Sequence, residues 1–229
     1  MEPLLQRLDS HDHDMLIANT KRFSVKKGEM IFTEGSRADN LYFIQKGKIR
    51  IFKDLGENKE ITVFIRGEQD CFGEIGIFSG KKYSNTAKAT KDSILLSLER
   101  QGIETILGEN GKLGLQFTKW VAESLEASKA QTRDFLMFGS EGAVASVFVR
   151  FANMYGVVTP NGVRITEPVM IRDVSMYVGI SRETVSRIVN KWKSQGILTN
   201  DNKYFLVKEI GYLKKLLACD QCGVENCIL

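Results

Sequence analysis

The sequence predicts an α+β chain: an antiparallel β-roll first, then one long helix, then a smaller domain of short helices closed by a hairpin. Three observations predict it. Short apolar runs alternate with turn residues from about residue 20 to residue 98, without a proline. From about Gly111 to Phe138 the apolar residues fall at helical spacing, and after Gly114 no glycine interrupts them. Beyond Gly139 the pattern breaks into short helical and extended pieces. The expected divisions are 1–98 for the roll, 99–138 for the helix region, 139–212 for the second domain and 213–229 for a cysteine-containing tail.

The roll rests on runs such as Leu41-Tyr42-Phe43-Ile44, Ile49-Arg50-Ile51-Phe52 and Ile61-Thr62-Val63-Phe64-Ile65, which read as strands. Gly28, Gly35, Gly47, Gly56, Gly67, Gly73 and Gly80 punctuate them, as turns do in an antiparallel roll or barrel.

The helix carries Leu113, Phe117, Trp120, Val121, Ser124, Leu125 and Ser128 at three- and four-residue steps. A run of roughly 25 residues is about 38 Å long at 1.5 Å per residue, too long for the interior of a small domain. It is expected to pack against a second copy of itself in a homodimer. The plain alternative is an amphipathic helix lying on the roll.

The second domain opens with a helical run, Ala143 to Met154, followed by a turn from Tyr155 to Gly162. Two short helices flank Gly179, and a hairpin from Thr199 to Val207 has its tip at Asn200-Asp201-Asn202-Lys203.

Composition limits the function classes. The chain has 229 residues, enough for one large domain or two modest ones, with 43% hydrophobic and 26% charged residues, as in ordinary globular proteins. No apolar run reaches the roughly 18 residues a membrane span needs. The start, Met1-Glu2-Pro3-Leu4, lacks the basic-then-apolar order of a signal peptide, so a cytoplasmic protein without a membrane partner is expected. A net charge of +4 selects no partner by itself. No nucleophile–base pair or phosphate loop is visible, so an enzyme is not expected.

The segment Ile171 to Leu198 carries the strongest signal. Val174 and Val178 give a first helix its apolar face, and Gly179 suits the left-handed turn that follows. Ser181 is a good N-cap for the next helix. There Val185, Ile188, Val189 and Trp192 form a buried stripe, while Arg182, Glu183, Ser186 and Arg187 share another face. One face packs and the other presents long polar groups from the helix N-terminus, the design of a helix-turn-helix that reads double-stranded DNA. Arginine can donate twice to guanine, glutamate can accept from cytosine, and Ser181 with the helix N-terminus can meet phosphate. The hairpin is then a wing, with Lys203 near the DNA backbone. The plain alternative is a solvated polar face on a protein-binding helix.

Gly179-Ile180-Ser181-Arg182-Glu183-Thr184-Val185-Ser186-Arg187 resembles the recognition helix of the CRP/FNR family of bacterial transcription regulators. Gly28-Glu29-Met30-Ile31-Phe32-Thr33-Glu34-Gly35 and Leu41-Tyr42-Phe43-Ile44-Gln45-Lys46-Gly47 resemble strand-turn patterns of the same family, so the likeness covers nearly the whole chain. It implies a jelly roll like those that bind cyclic nucleotides, a dimerisation helix and a winged helix-turn-helix. It also implies a palindromic operator and RNA polymerase as partners. The family's Arg-Glu-x-x-x-Arg pattern falls on Arg182, Glu183 and Arg187, and the FNR-branch pattern Glu-x-x-Ser-Arg on Glu183, Ser186 and Arg187. The half-site is expected to be TGTGA-like or TTGAT-like, and Arg182 favours TGTGA. Met170 departs from the family, which usually places a threonine cap there.

Cyclic-nucleotide binders of this fold hold ribose and phosphate with a Gly-Glu pair and a later arginine. Gly73-Glu74 is present, but Tyr83 stands where the arginine is expected, and Lys81 and Lys82 are displaced from it. A shifted lysine does not replace a bidentate guanidinium, so no tight cyclic-nucleotide binding is expected. Gly73-Glu74 then reads as a turn and a surface acid.

Of four cysteines, Cys219, Cys222 and Cys227 crowd into a C-x2-C-x4-C array. Three soft thiolates so close can hold one metal centre, one ligand short of a complete site. Four readings stand on the spacing: a [4Fe-4S] cluster, zinc with a ligand from elsewhere, a thiol–disulfide switch, or an inert tail. The array resembles that of the Gram-positive, Bacillus-type FNR branch, which carries its cluster cysteines at the C-terminus. The resemblance implies a [4Fe-4S] cluster, an oxygen response, and an aspartate as fourth ligand. The matching stretch is Thr132-Arg133-Asp134-Phe135-Leu136, so Asp134 corresponds. Its plain alternative is a surface carboxylate or an ion pair with Arg133. Cys71 reads as a buried structural residue, and His11 and His13 as surface residues. The rival functions are a CRP-like regulator with a small effector in the roll and a zinc or thiol redox switch.

Overall fold

The computed structural model describes residues 2–56, 60–201, 203–222 and 227–228. The hairpin tip residue Asn202 and the spacer 223–226 of the cysteine array lie outside the described residues. The chain divides into two compact units, 2–123 and 124–229.

The first unit begins with a 3-10 turn, Leu4–Arg7, and helix α1, Ser10–Ala18, whose N-cap Asp9 accepts from the Asp12 N–H. Among the described residues eight strands follow: β1 Lys21–Val25, β2 Met30–Phe32, β3 Asn40–Lys46, β4 Ile49–Asp54, β5 Glu60–Arg66, β6 Cys71–Phe72, β7 Thr86–Ala89 and β8 Ser93–Glu99. A short helix α2, Glu74–Ser79, separates β6 from β7. The strands form two antiparallel sheets, ordered β1-β8-β3-β6 and β2-β7-β4-β5. Phe43 sits opposite Leu96, and Ile51 opposite both Ala87 and Phe64. The three runs read from the sequence are β3, β4 and β5. Their inward residues meet in one core that includes Tyr42, Ile44, Ile49, Ile51 and Leu95. Cys71 is fully buried in β6.

After β8 come α3, Arg100–Glu109, and α4, Gly111–Met137. Arg100 donates to the carbonyls of Ala38, Gly76, Ile77 and Gly80, tying α3 to the turns around α2. Asp70 is 7% exposed and its carboxylate is saturated. It accepts from the Leu4 N–H at 3.3 Å, the Trp120 indole at 3.0 Å and Arg66 at 3.2 Å. Arg66 also lies over the Trp120 ring at 4.8 Å. A buried carboxylate persists only with such partners. Nearby, Arg7 forks onto both Glu123 oxygens at 2.9 and 2.6 Å, holding the Leu4–Arg7 turn to α4.

Along α4 the buried positions are Leu113, Phe117, Trp120, Ser124, Ala127, Ala130 and Asp134. They keep three- and four-residue steps throughout, as one helix face requires. Val121 and Leu125 belong to another face and are 40% and 54% exposed. The apolar stripe read from the sequence is therefore two faces, one buried within the chain and one open.

The second unit contains α5 Gly139–Tyr155, β9 Gly156–Thr159, β10 Gly162–Ile165, α6 Ile171–Val178 and α7 Arg182–Ser194. It ends with β11 Leu198–Asp201, β12 Tyr204–Val207, α8 Ile210–Leu216 and a 3-10 turn, Cys219–Gln221. Ten consecutive residues of α5, Gly142 to Phe151, are buried, and α6, α7 and α8 all pack on it. A helix that is apolar all round belongs in the middle of a domain. The stretch Tyr155–Gly162, expected as a turn, forms half of a β9–β10 hairpin in a four-stranded sheet ordered β11-β12-β10-β9. Val157 and Val158 favour extended backbone, and Gly162 supplies the turn at φ 125°. A side chain at Gly162 would stand 2.3 Å from the Val207 carbonyl, so only glycine lets β10 approach β12.

Candidate functional site

Gly179 ends α6 in the left-handed region at φ 77° and ψ 21°. The Met170 departure is compensated from inside α6, where the Asp173 carboxylate accepts the Met170 N–H at 2.8 Å. Ser181 caps α7, accepting the Thr184 N–H at 3.2 Å. Val185, Ile188, Val189 and Trp192 are all buried. Ser181, Arg182, Glu183 and Arg187 stand exposed, and Ser186 is half-buried. The Glu183 carboxyl is held below its ordinary value by its own backbone N–H, by Ser181 and by the charge of Arg182. It is thus an acceptor near neutral pH.

The polar face is held in place from behind. Trp192 packs edge-to-face on Phe148 at 6.0 Å and donates its indole N–H to Glu141 at 2.9 Å. Lys191 donates to both Glu141 oxygens, at 3.0 and 2.9 Å. The first turn of α5 therefore fixes the last turns of α7, leaving the N-terminal end of α7 free to meet a ligand. In the wing, Lys203 lies 5.3 Å over the Tyr204 ring.

The predicted phosphate anchor of the roll is replaced by an aromatic stack. Tyr83 is parallel to Phe32, with centroids 3.6 Å apart and planes 9° off, and donates its hydroxyl to the Asn40 carbonyl at 2.6 Å. The cavity lined by Phe32, Phe64, Arg66, Glu74 and Tyr83 has a volume of about 20 Å3, near that of a single water. Burial pushes the Glu74 carboxyl up, against the charge of Arg66.

The tail gathers at the C-terminal end of α4. Asp134 is 2% exposed, so it is not a surface carboxylate, but it does form the ion pair with Arg133 that its plain alternative expected. Its Oδ1 accepts from Arg133 at 2.7 Å, and its Oδ2 accepts from Ser146 at 2.7 Å and Arg150 at 3.2 Å. Arg133 also donates to the Leu217 carbonyl, Arg150 to the Ile228 carbonyl, and Asn153 to the Cys227 carbonyl. Burial raises the Cys219 thiol, with Cys227, Asp134 and Cys222 adding and Arg133 opposing. Burial also raises Cys227, where Arg150 and Arg133 oppose and Asp134 and Cys222 add. Cys219, Cys222, Cys227 and Asp134 thus share one electrostatic neighbourhood.

Among the described residues no three His, Cys, Asp or Glu side chains converge on a single ion position. In an iron–sulfur cube each ligand takes a different iron, so its ligands need not converge on a point as those of one ion must. The donor set of soft thiolates and one carboxylate, flanked by two guanidinium groups, fits such a cluster in kind.

Ser181, Arg182, Glu183, Ser186 and Arg187, expected to meet DNA, share one end of α7. Cys219, Cys222, Cys227 and Asp134, expected as ligands, influence one another electrostatically, and Arg133 and Arg150 link Asp134 to the main chain at Leu217 and Ile228. Glu141, Ser146, Arg150 and Asn153 were not expected from the sequence. Arg150 had a signal: it is the single charge in the apolar run Ala143 to Ala152.

A family model for a cyclic nucleotide-binding domain matches residues 22–110, and one for a Crp-like helix-turn-helix domain matches residues 143–216. The anaerobic regulatory protein of Bacillus subtilis is 28% identical over 222 residues, which is 96% of this chain and 93% of that protein. A CRP-like cAMP-activated global transcriptional regulator of Mycobacterium tuberculosis is 24% identical, over 80% of this chain and 82% of its own. The solved structure of a CooA mutant from Carboxydothermus hydrogenoformans superposes with a TM-score of 0.81 at 20% identity, covering 94% of this chain and 96% of that one.

Proposed function

The chain belongs to the CRP/FNR family of transcription regulators, DNA-binding proteins and not enzymes, and on that premise we propose that it is an oxygen-responsive, anaerobic regulator governed by a [4Fe-4S] cluster. Regulators of this family bind DNA as dimers. The exposed Val121 and Leu125 of α4 are the surface on which a second copy packs. The dimer reads an inverted repeat of TGTGA-like half-sites and works with RNA polymerase. Arg182 and Arg187 donate to guanine, Glu183 accepts from cytosine, and Ser181 and Ser186 meet the backbone and base edges.

The observation that carries the oxygen response is that the two ends of the segment holding Cys219, Cys222 and Cys227 are tied through Arg133 and Arg150 to the buried Asp134. These four residues would hold the cluster, with Asp134 as the fourth ligand. Bound there, a [4Fe-4S] cluster supplies an oxygen-labile centre, and a carboxylate ligand is more readily lost than a thiolate. Asp134 stands at the end of α4, and the tail follows the DNA-reading domain through α8. Ligands drawn from both ends of this unit fix the attitude of α7 toward α4, which sets the spacing of two recognition helices in a dimer. The aromatic filling around Tyr83 favours this control over a nucleotide in the roll.

The test is anaerobic reconstitution followed by gel shifts on a TGTGA inverted repeat, with and without air. Iron and sulfide should co-purify, with absorbance near 400 nm, and air should abolish the shift. Equal binding in both conditions sinks the oxygen response, and zinc without sulfide sinks the cluster.

A further inference from the structure

Two guanidinium groups each bridge Asp134 to a different end of the cysteine segment. Arg133 holds Asp134 Oδ1 at 2.7 Å and the Leu217 carbonyl at 3.0 Å. Arg150 holds Asp134 Oδ2 at 3.2 Å and the Ile228 carbonyl at 2.8 Å. Leu217 and Ile228 bracket Cys219, Cys222 and Cys227 on either side, so one carboxylate pins both ends of the loop. Asn153 adds a third tie, to the Cys227 carbonyl at 2.7 Å.

Arg150 is the heart of this clasp. It is 0% exposed and sits mid-helix in α5. A guanidinium without water needs an acceptor for each donor direction. Arg150 finds three: the Ser146 hydroxyl on its own helix, Asp134 on α4, and a main-chain carbonyl of the tail. The tail carbonyl completes the set, so undocking the tail strips a buried charge of a partner. That couples the position of the cysteines to the packing of α4 on α5.

We propose that Arg150, seconded by Arg133, is a positioning residue for the tail site: it docks the cysteine loop against Asp134 before any metal enters, and its charge offsets that of the loaded site. The second half rests on the cluster reading above; the first does not. Docking a loop in advance removes the ordering cost from the loading step. Three thiolates and a carboxylate around one cluster make a net anion, and a buried anion requires nearby positive charge.

The experiment uses the full chain. In the metal-free protein, N-ethylmaleimide labelling of each cysteine is followed by mass spectrometry. Loss of charge-assisted hydrogen bonds in Arg150→Gln should speed labelling of Cys219, Cys222 and Cys227 by roughly tenfold or more, while Cys71 stays protected. Unchanged tail rates with Cys71 protected overturn the docking role. If Arg150→Gln also exposes Cys71, Arg133→Gln takes its place, and unchanged rates there overturn the clasp equally. In anaerobically reconstituted protein, Arg150→Gln should shift the cluster's midpoint potential negative and Arg150→Lys should restore it; an unmoved potential overturns the charge role. Wild type that takes up no iron and sulfide ends the cluster reading and the charge role with it, and leaves labelling to judge docking alone.

Discussion

The indole N–H of Trp192 is donated to Glu141 across 2.9 Å, joining the far end of the recognition helix to the first turn of α5. Burial works to raise the Glu141 carboxyl, but the hydrogen bonds from Lys191 and Trp192 outweigh it, and the group titrates below its ordinary value. A carboxylate lowered by folding stabilises the fold above its unfolded value, and that stability is lost as pH falls through the folded value. The Glu141 side chain is 30% exposed, so screening limits the effect. Glu141→Gln should therefore cost about 1 kcal/mol near neutral pH. Hydrogen exchange of the α7 amides should show the gap closing as pH falls below the ordinary glutamate range. A gap that does not narrow on acidification would mean the carboxylate charge is not what anchors Trp192.

Base reading is predicted to reside in Arg182 and Arg187. Each alanine replacement should cost about 1–3 kcal/mol on a TGTGA inverted repeat and relax specificity at one base pair. Lys203→Ala should weaken all sequences alike and flatten the salt dependence by about one charge. Fluorescence anisotropy on matched and single-mismatch operators at several salt concentrations separates the two behaviours. Equal losses on both operators for Arg182→Ala would remove it from the reading set.

Val121 and Leu125 are predicted to be buried between two copies. Val121→Glu combined with Leu125→Glu should convert a dimer to a monomer in sedimentation, because two desolvated carboxylates meet their symmetry mates. Folding should be intact, since both side chains face away from the chain's own core. A double variant that still sediments as a dimer moves the interface elsewhere.

Tyr83→Ala should destabilise the roll by about 3–5 kcal/mol, since it empties the space beside Phe32 and orphans the Asn40 carbonyl. Wild-type protein should give no binding heat with cAMP in calorimetry. Micromolar affinity would overturn the reading of Tyr83 as a filled anchor.

Much of the fold was legible because periodicity and turn chemistry agree in it. β3, β4 and β5 coincide with the alternating runs, and α4 ends within a residue of its predicted limit. Gly179 and Ser181 marked the turn and cap of α7. The β9–β10 hairpin was not legible. Tyr155–Gly162 is short and ends in Thr-Pro-Asn-Gly, and its pairing is completed by β12, some forty residues on. The cysteine spacing was visible, but Asp134 was reached through resemblance alone, since a lone acid beside Arg133 has no signature. Arg133 and Arg150 clasp main-chain carbonyls, and every residue has one, so no sequence pattern marks those partners.

The tie between Arg7 and Glu123 bears on how the chain is made. The first compact unit runs from residue 2 to residue 123, and this fork joins its two extremities. A ribosome that has delivered only the eight strands has not yet delivered Trp120 or Glu123. At that stage Asp70 lacks its indole donor, Arg66 has only the Phe64 ring and not that of Trp120, and Arg7 lacks Glu123. The first unit therefore has its full set of contacts only once the first half of α4 has emerged, and α4 emerges before any of the helices of the helix-turn-helix domain. The nascent protein can thus complete its first unit while the part that meets DNA is still being made.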